Sequence, residues 1–368
     1  MVVQLYQPLI GTSEKKAVMR VLESKILTRG EELKKFENEF AKLIGKKYAV
    51  AVNSGSSALS LAVKAIGWDK GDEILTTPFS YIASANSLTL ENQKPIFVDI
   101  DPKTLNMSAK SAEKLITKKT KGILLVHIYG LPVDISGFEK IAQKYHLSVI
   151  EDCCQAIFPS SKKYLVGKLG DVCVYSFSFN KIVTTAGEGG IIATNNFKFA
   201  SFCRSLRDQG RNNRRNWLCH VVPGFNYRLT EIQAAFGRAQ LKQICIFINK
   251  REKIAKWYSL NLKEVKGISL PYNSKSLRSW IFYYIQLNNS FVRNRLANEL
   301  KKAQITTHCP QAIPNFPEYK KNGYQINQYP KTKQAVSTIL ELPLYPDLKY
   351  WEVKYICSKI KEIVNQIR

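Results

Sequence analysis

One lysine lies between an apolar segment and a glycine-rich turn, where its amine is able to act as a nucleophile. Lys181 follows Ser176–Asn180 and precedes the turn at Gly187–Gly190. A lysine amine attacks a carbonyl only when burial or a nearby positive charge disfavours its ammonium form, so it needs a closed pocket. The apolar flanks of Lys181 can supply one, which indicates a Schiff-base lysine. The alternative is a solvated loop lysine.

A second segment ends an apolar run with two acidic residues. Glu151 and Asp152 follow Leu147–Ile150. In an open α/β sheet, ligands bind beyond the carboxyl ends of the strands, so these acids stand where a cofactor would lie. A carboxylate at Asp152 suits the pyridinium nitrogen of pyridoxal 5'-phosphate (PLP), because keeping that nitrogen protonated makes PLP an electron sink. The alternative is that Asp152 caps a helix or lies in a surface turn.

A third segment has the outline of a phosphate-binding turn. The apolar strand predicted at Tyr48–Val52 leads through a small polar turn into a helix. The free N–H groups and the positive dipole of a helix start attract an anion. Gly55 allows a close approach there, and the hydroxyls of Ser56 and Ser57 are further donors. Serine-rich turns also open many helices that bind nothing.

Together and in this order, the segments resemble the sugar aminotransferases of the DegT/StrS type, a branch of the fold-type I PLP-dependent enzymes. The resemblance covers nearly the whole chain. It is carried by motifs at Leu27–Gly30, Asn53–Leu59, Thr77–Ser84, Phe97–Asp101, Glu151–Ala156, Ser176–Gly190, Leu206–Gly210, Gly224–Ala235 and Leu342–Pro346.

The resemblance implies which residues of this chain contact the ring of the cofactor. Lys181 is implied to form the Schiff base with PLP and to move protons during transamination. Asp152 is implied to hold the pyridinium nitrogen, and Gln155 to lie near the phenolic oxygen. Tyr81 is implied to stack on a ring face, which suits a flat, electron-poor ring. The alternatives for Tyr81 and Gln155 are helix packing and a surface amide.

The same resemblance implies how the phosphate and the substrate are held. Gly55, Ser56, Ser57 and Ser176 would bind the phosphate. Asn226 would reach it from the neighbouring subunit, which implies a two-fold homodimer with shared active sites; such dimers are the commonest assembly. His308 is implied to bind substrate as part of a late histidine-containing motif, and the alternative is a structural histidine.

The presence of a lysine at position 181 helps to distinguish amino transfer from dehydration. Related enzymes in which histidine replaces it are PLP-dependent deoxysugar dehydratases, whereas a free lysine completes the 1,3-proton shift of transamination. The resemblance therefore implies amino transfer, with L-glutamate as the expected donor, to a keto carbon of a nucleotide-linked deoxysugar for cell-surface polysaccharide or glycoconjugate synthesis. The alternatives are a sugar dehydratase and a non-catalytic, basic nucleic-acid-binding or regulatory protein on the same fold.

The length and composition of the chain agree with a two-domain enzyme. A chain of 368 residues with 45% hydrophobic content is able to form two domains. We expect a large PLP-binding domain at 1–240 and a small domain at 241–368. No apolar run reaches the ~20 residues that cross a bilayer, and no secretion signal is recognisable, so we expect a cytoplasmic protein without membrane contact. Eight cysteines without a Cys-x-x-Cys pair predict neither disulfides nor a metal site.

The charge is strongly positive but scattered. Lysine and arginine number 55 against 29 acidic residues, a formal net charge of +26. The basic runs are short, as at Lys118–Lys119 and 211–215, and no nucleic-acid-binding motif accompanies them, so no nucleic-acid partner is predicted. Attraction of a doubly negative sugar nucleotide and a lysine-rich proteome both account for the excess.

Alternating patterns predict the elements that position these residues. The fold class is predicted as α/β, a fold-type I PLP transferase with a mostly parallel sheet between helices and a smaller C-terminal α+β domain. In that domain we expect a strand at Trp280–Ile285 and a closing helix at Val353–Arg368, reached through a long amphipathic stretch from Thr230 to about Leu260. The predicted strands are Tyr48–Val52, Glu73–Thr76, Ile96–Ile100, Gly122–Tyr129, Ser148–Glu151, Val172–Phe177 and Gly190–Thr194, and the predicted helices include Ser56–Ile66, Tyr81–Glu91, Ile135–Tyr145 and Phe197–Arg207.

Overall fold

The computed structural model describes residues 2–158, 166–212, 218–272 and 278–367. Residues 213–215 of the basic run, and Arg368, lie outside the described residues. Within these ranges the strands form a sheet of seven, in the order β1-β7-β6-β5-β4-β2-β3, and a sheet of three, in the order β10-β9-β8. The strands are β1 Tyr48–Val52, β2 Glu73–Thr76, β3 Lys94–Phe97, β4 Thr120–Val126, β5 Ser148–Asp152, β6 Val172–Ser176, β7 Gly190–Thr194, β8 Ile268–Ser269, β9 Tyr283–Leu287 and β10 Ile339–Leu342.

Helices surround both sheets. They are α1 Thr12–Ser24, α2 Glu31–Ile44, α3 Gly55–Ile66, α4 Ala83–Leu90, α5 Ala109–Glu113, α6 Ile135–Tyr145, α7 Phe197–Arg207, α8 Glu231–Leu241, α9 Ile244–Leu262, α10 Ser290–Lys302, α11 Pro317–Lys321, α12 Pro330–Thr338 and α13 Tyr350–Ile367. None of the helices in the described ranges is both long and apolar enough to cross a membrane.

The larger sheet is mostly parallel and buried on both faces. Strands β3, β2, β4, β5 and β6 run parallel, while β7 runs antiparallel between β6 and β1. Successive residues of β4 pack into different cores, Ile123 with α6 and Leu124 with α3, so an apolar residue is needed at each position. The predicted α/β class is confirmed.

The strand directions bring three predicted segments to one edge of the sheet. Because β7 is antiparallel to both β1 and β6, those two strands point the same way, and Gly190 pairs with both Val52 and Ser176. Strand β5, parallel to β6, ends at Asp152 on the same edge. The carboxyl ends of β1, β5 and β6 therefore converge, as expected of a ligand site in an α/β sheet.

Two predicted elements differ from the structure near the smaller sheet. The stretch from Thr230 to Leu260 is two helices, α8 and α9, because Gln243 leaves helical geometry (φ −105°, ψ 2°) and its amide donates to Glu14 Oε1 at 2.8 Å. The strand predicted at Trp280 begins at Tyr283 instead, because Trp280 has a left-handed backbone (φ 49°) that a strand cannot contain.

Helix α2 is capped by a residue distant in sequence. Glu231 is 2% exposed, and its carboxylate accepts hydrogen bonds from the backbone N–H groups of Gly30 (2.9 Å), Glu32 (2.8 Å) and Leu33 (3.3 Å). These donors have no partners within the helix, so the carboxylate satisfies them and complements the helix dipole.

We expect Glu231→Ala to lower the free energy of unfolding by about 3 kcal/mol, because three N–H groups, one buried and two partly buried, lose their acceptor. Urea denaturation of the PLP-loaded protein measures the loss. Glu31→Ala, in the exposed first turn of the same helix, is the matched control and should cost much less. Equal losses in the two variants would contradict the capping role.

Candidate active site

A cavity of about 640 Å³ opens at the edge where β1, β5 and β6 end. Residues of both sheets line it: Asp152 and Ser176 belong to the larger sheet, and Glu341 belongs to β10 of the smaller one. The volume is enough for a cofactor and part of a substrate.

One end of the cavity is formed by the start of helix α3. Ser54 caps the helix by accepting a hydrogen bond from Ser57 N at 3.1 Å, and Gly55 and Ser56 line the cavity. A Cβ atom on Gly55 would lie 2.8 Å from Cβ of Ser176, so only glycine allows this approach of the helix to β6. The helix start and the two serines, Ser56 and Ser176, make an anion site suited to a phosphate.

The carboxylate at the end of β5 is buried and held in place. Asp152 is 3% exposed; its Oδ2 accepts a hydrogen bond from the Ser84 hydroxyl at 2.8 Å, and its Oδ1 accepts one from Cys154 N at 3.0 Å. Residues 153–158, which follow it directly, form a turn and not a helix, so the helix-cap alternative does not apply. A buried carboxylate facing a cavity is suited to a cationic ring nitrogen.

Lys181 lines the same cavity as Asp152, on the loop between β6 and β7. Its side chain is half-buried, and within the described ranges its Nζ has no hydrogen-bond or ion-pair partner. The thiol of Cys154 lies close to both groups: burial and the Asp152 carboxylate raise its pKa well above the usual value, and the Lys181 charge opposes that rise. Cys154 is therefore an un-ionised packing group, and the free amine is Lys181.

Gln155 and Tyr81 line the cavity beside these groups. Gln155 Oε1 accepts a hydrogen bond from Tyr129 N at 2.7 Å, which fixes the amide. Tyr81 is 72% exposed. Its ring is thus largely uncovered at the cavity wall.

Two predicted phosphate residues are not among the described residues that line the cavity. The Ser57 hydroxyl lies 2.9 Å from the Ser54 hydroxyl, within the helix cap. Asn226 is exposed and pairs through its backbone with Asp208, away from the cavity of its own chain. Its role at the phosphate of a neighbouring subunit stays a prediction.

His308 lines the cavity from the side of the smaller sheet, and sequence reasoning missed its partners. His308 Nδ1 lies 2.9 Å from Oε2 of Glu341, and the Tyr129 hydroxyl donates to Oε1 of Glu341 at 2.8 Å. All three residues line the cavity. Glu341 lies within the apolar strand Ile339–Leu342, and its charge there was the signal that could have identified it. Ser84, within Thr77–Ser84, was also missed.

A buried acid–histidine pair supports the strand that carries Asp152. His127 Nε2 lies 2.8 Å from Glu151 Oε2, while Val133 N donates to His127 Nδ1 at 3.2 Å, so the imidazole is the neutral Nε2–H form. Gly167 N also donates to Glu151, and these hydrogen bonds hold the pKa of the Glu151 carboxyl below its usual value against the effect of burial. Within the described ranges, His127, Glu151 and Cys153 form a group whose potential metal-ligating atoms lie within 4.8 Å of one another.

These residues fit PLP. The cavity offers an unpaired amine, a buried carboxylate and a helix N-terminus that the absence of a Cβ at Gly55 lets approach Ser176, one group for each reactive or charged part of that cofactor. The fold and the site together define the class of fold-type I PLP-dependent transferases.

The sequence comparison narrows this class to a family. A sequence profile of the DegT/DnrJ/EryC1/StrS aminotransferase family matches residues 8–361, and the chain belongs to this family. The chain is 35% identical over 368 residues to the GDP-perosamine synthase of Escherichia coli O157:H7, with 99% of each chain covered. It is 32% identical to the spore coat polysaccharide biosynthesis protein SpsC of Bacillus subtilis, covering 97% of this chain and 96% of SpsC.

Solved structures with the same fold are also aminotransferases. PseC of Helicobacter pylori, an aminotransferase involved in the biosynthesis of pseudoaminic acid, superimposes with a TM-score of 0.93 at 27% identity and covers 100% of both chains. The protein is accordingly a PLP-dependent sugar aminotransferase, and the predicted family, cofactor and enzyme class are confirmed.

Proposed function

We propose that the protein transfers an amino group from L-glutamate to a keto carbon of a nucleotide-linked deoxysugar that is a precursor of a cell-surface polysaccharide or glycoconjugate. The observation that carries this proposal is the opening of Lys181, Asp152 and the α3 start into one cavity that has further room for a sugar. The relative named GDP-perosamine synthase supports the keto sugar that yields GDP-perosamine as the first acceptor to test.

Each predicted site residue has a role in this proposal. PLP supplies an electron sink that stabilises negative charge at the reacting carbon. Lys181 would hold the cofactor covalently until the amino substrate replaces it, and the freed Nζ would then carry the proton of the 1,3-shift from one carbon to the other. Asp152 keeps the ring nitrogen protonated, and Gln155 donates to the phenolic oxygen. Tyr81 covers one ring face. The phosphate is held by Gly55, Ser56 and Ser176, with Asn226 contributed by the partner subunit. Ser57 adds its hydroxyl only when that hydroxyl turns away from Ser54.

An aromatic wall supports a sugar as the second substrate. The ring of Tyr6 lies 5.5 Å from that of Phe282 and 6.4 Å from that of Phe179, and Phe282 lies 5.8 Å from Tyr129. All four side chains line the cavity, beside the polar pair of His308 and Glu341. Apolar faces with a few fixed polar groups suit a deoxysugar, which has both C–H faces and hydroxyls.

The organisation of the chain is also a proposal. We assign 1–240 to a large PLP-binding domain and 241–368 to a small domain, in a cytoplasmic protein with no nucleic-acid or membrane partner. The first residues cross this division, because Val3 pairs with Ile305 in the core beside the smaller sheet. Tyr6, which follows, then reaches the cavity.

The function is tested by incubating the PLP-loaded protein with L-glutamate and a panel of GDP- and dTDP-linked keto-deoxysugars. We expect 2-oxoglutarate and an amino sugar nucleotide in equal amounts, measured by mass spectrometry. Loss of a hydroxyl without amine formation would contradict amino transfer and indicate the dehydratase. An absence of turnover with every keto sugar would overturn the proposed acceptor.

The shared active site gives a separate prediction for the homodimer. We expect a heterodimer of one Lys181→Ala subunit and one Asn226→Ala subunit, isolated by two different tags, to recover about half of the wild-type activity at limiting PLP, because one site escapes both changes. Each variant homodimer should be nearly inactive under the same conditions. A heterodimer as inactive as its parents would show that Asn226 acts within its own subunit, and a fully active Asn226→Ala homodimer would show that Asn226 has no role.

A further inference from the structure

Glu341 is an unusual residue for its position. It lies in the middle of strand β10, between Leu340 and Leu342, and is 4% exposed. A carboxylate buried this deeply is costly unless several donors satisfy it. Its two oxygens each accept one hydrogen bond, from Tyr129 and from His308, and both donors line the cavity with it.

The backbone fixes this group as firmly as the side chains do. His308 N donates to Glu341 O at 3.2 Å, and Glu341 N donates to His308 O at 2.8 Å, so the two residues are directly paired. On the other side of the strand, Glu341 pairs with Tyr284, whose ring lies 4.8 Å from that of Tyr129. Three strands or loops thus hold the two side chains in one arrangement.

The hydrogen bond to Glu341 determines what His308 offers to a ligand. A carboxylate only accepts, so Nδ1 of His308 carries the proton in this pair. The hydrogen bond raises the pKa of His308 against the opposing effect of burial. The ring is partly exposed, and within the described ranges Nε2 has no partner, so that nitrogen is available to the cavity. Burial and Glu341 raise the pKa of Tyr129, which stays a neutral donor.

The two substrates of the proposed reaction differ in the charge that they would bring next to Tyr129, His308 and Glu341. L-Glutamate brings carboxylates, which a buried carboxylate repels. A sugar ring brings neutral hydroxyls, which donate to the remaining lone pairs of a carboxylate and exchange hydrogen bonds with an imidazole. The group formed by Tyr129, His308 and Glu341 therefore favours the sugar over the amino donor.

We propose that Glu341 is a positioning residue for the acceptor sugar: it holds His308 so that Nε2 binds a ring hydroxyl, and the group formed by Tyr129, His308 and Glu341 determines which sugar is accepted. This inference rests on the proposed function. It assigns the polar wall of the cavity to the acceptor half of the reaction alone.

The test separates the two half-reactions and measures binding directly. Glu341→Gln keeps the size of the side chain, but its NH₂ group cannot accept, so either Tyr129 or His308 loses its partner. We expect the affinity for the amino sugar nucleotide, measured by titration calorimetry on the PLP-loaded enzyme, to fall roughly 10- to 100-fold. The rate at which L-glutamate alone converts the bound cofactor should stay within about 3-fold of wild type.

Two further variants keep the proposal falsifiable if Glu341→Gln folds poorly. Tyr129→Phe removes one hydroxyl and keeps the ring, and His308→Gln removes the imidazole. Both should weaken sugar nucleotide binding and reduce discrimination against an analogue that lacks one ring hydroxyl. The effects of Glu341→Gln and His308→Gln should be non-additive, because the two residues act as a unit. Glu362→Gln, on the exposed face of α13, is the matched control.

The outcomes distinguish this inference from the function beneath it. Unchanged sugar nucleotide affinity in Glu341→Gln, or an equal fall in both half-reactions, would overturn the inference and leave the aminotransferase intact. If the wild-type enzyme binds no sugar nucleotide while L-glutamate still reacts, the proposed acceptor fails and this inference fails with it.

Discussion

Replacing Lys181 with alanine is expected to lower the rate of amino transfer by roughly 10⁴-fold, because the variant loses both the covalent link to PLP and the group that moves the proton. Lys181 is the half-buried amine of the cavity, and within the described residues its Nζ has no partner that would have to be broken. The fold should therefore tolerate the change. Stopped assays of 2-oxoglutarate formation measure the loss.

The visible spectrum provides a second readout. Lysine-bound PLP absorbs in the visible range, so the band should be present in the wild type, disappear when L-glutamate is added, and be missing from Lys181→Ala. Lys140→Ala, on the exposed face of α6, is the control for a lost surface charge and should behave as wild type. A Lys181 variant that keeps the band and the turnover would contradict the assignment of the reactive lysine.

The second large effect is expected from Asp152→Asn, which should lower kcat about 10²-fold and weaken PLP binding. Asparagine has nearly the same shape, and its oxygen can still accept from Cys154 N, while the Ser84 hydroxyl must turn to accept from the new NH₂ group. It carries no charge to hold a proton on the ring nitrogen. Steady-state kinetics and a PLP titration measure the two losses. The melting temperature of the PLP-free protein should change little.

Ser84→Ala is the graded comparison for Asp152. It removes one hydrogen bond to the carboxylate and leaves the charge, so a loss of only about 3- to 10-fold is expected. If Asp152→Asn retained activity within the range of Ser84→Ala, the charge of Asp152 would not matter, and the assignment of the ring-nitrogen partner would be wrong.

The parts of the site that could be predicted from sequence are those encoded by local patterns. The strands that end at Val52, Asp152 and Ser176 are short apolar runs followed by polar residues, and their boundaries agree with the prediction within one residue. Parallel strands place such ends on one edge. Two local patterns identified Lys181 and Asp152 as candidates, and the resemblance to the sugar aminotransferases implied that they serve one cofactor.

The parts that could not be predicted depend on partners far away in the chain. The Ser84 hydroxyl is 68 residues from Asp152, and Tyr129 is 212 residues from Glu341. Nothing near Asp152 in the sequence indicates Ser84 as its donor, and nothing near Glu341 indicates Tyr129. The Ile339–Leu342 pattern around Glu341 predicts only a buried strand. Local patterns also missed the break at Gln243, because the side-chain contact that accompanies it lies on α1.

The antiparallel insertion of β7 determines when the site can assemble during synthesis. Within the described ranges, strand β1, which leads into the helix start at Ser54, forms its ladder with β7, more than a hundred residues later, and β7 also completes the edge of β6. Contacts of such long sequence separation close slowly and late in folding. Nascent chains shorter than residue 190 therefore carry an unpaired apolar β1, which is prone to aggregation. The PLP site needs the paired ends of these strands, so we expect PLP to stabilise the chain only after β7 has formed.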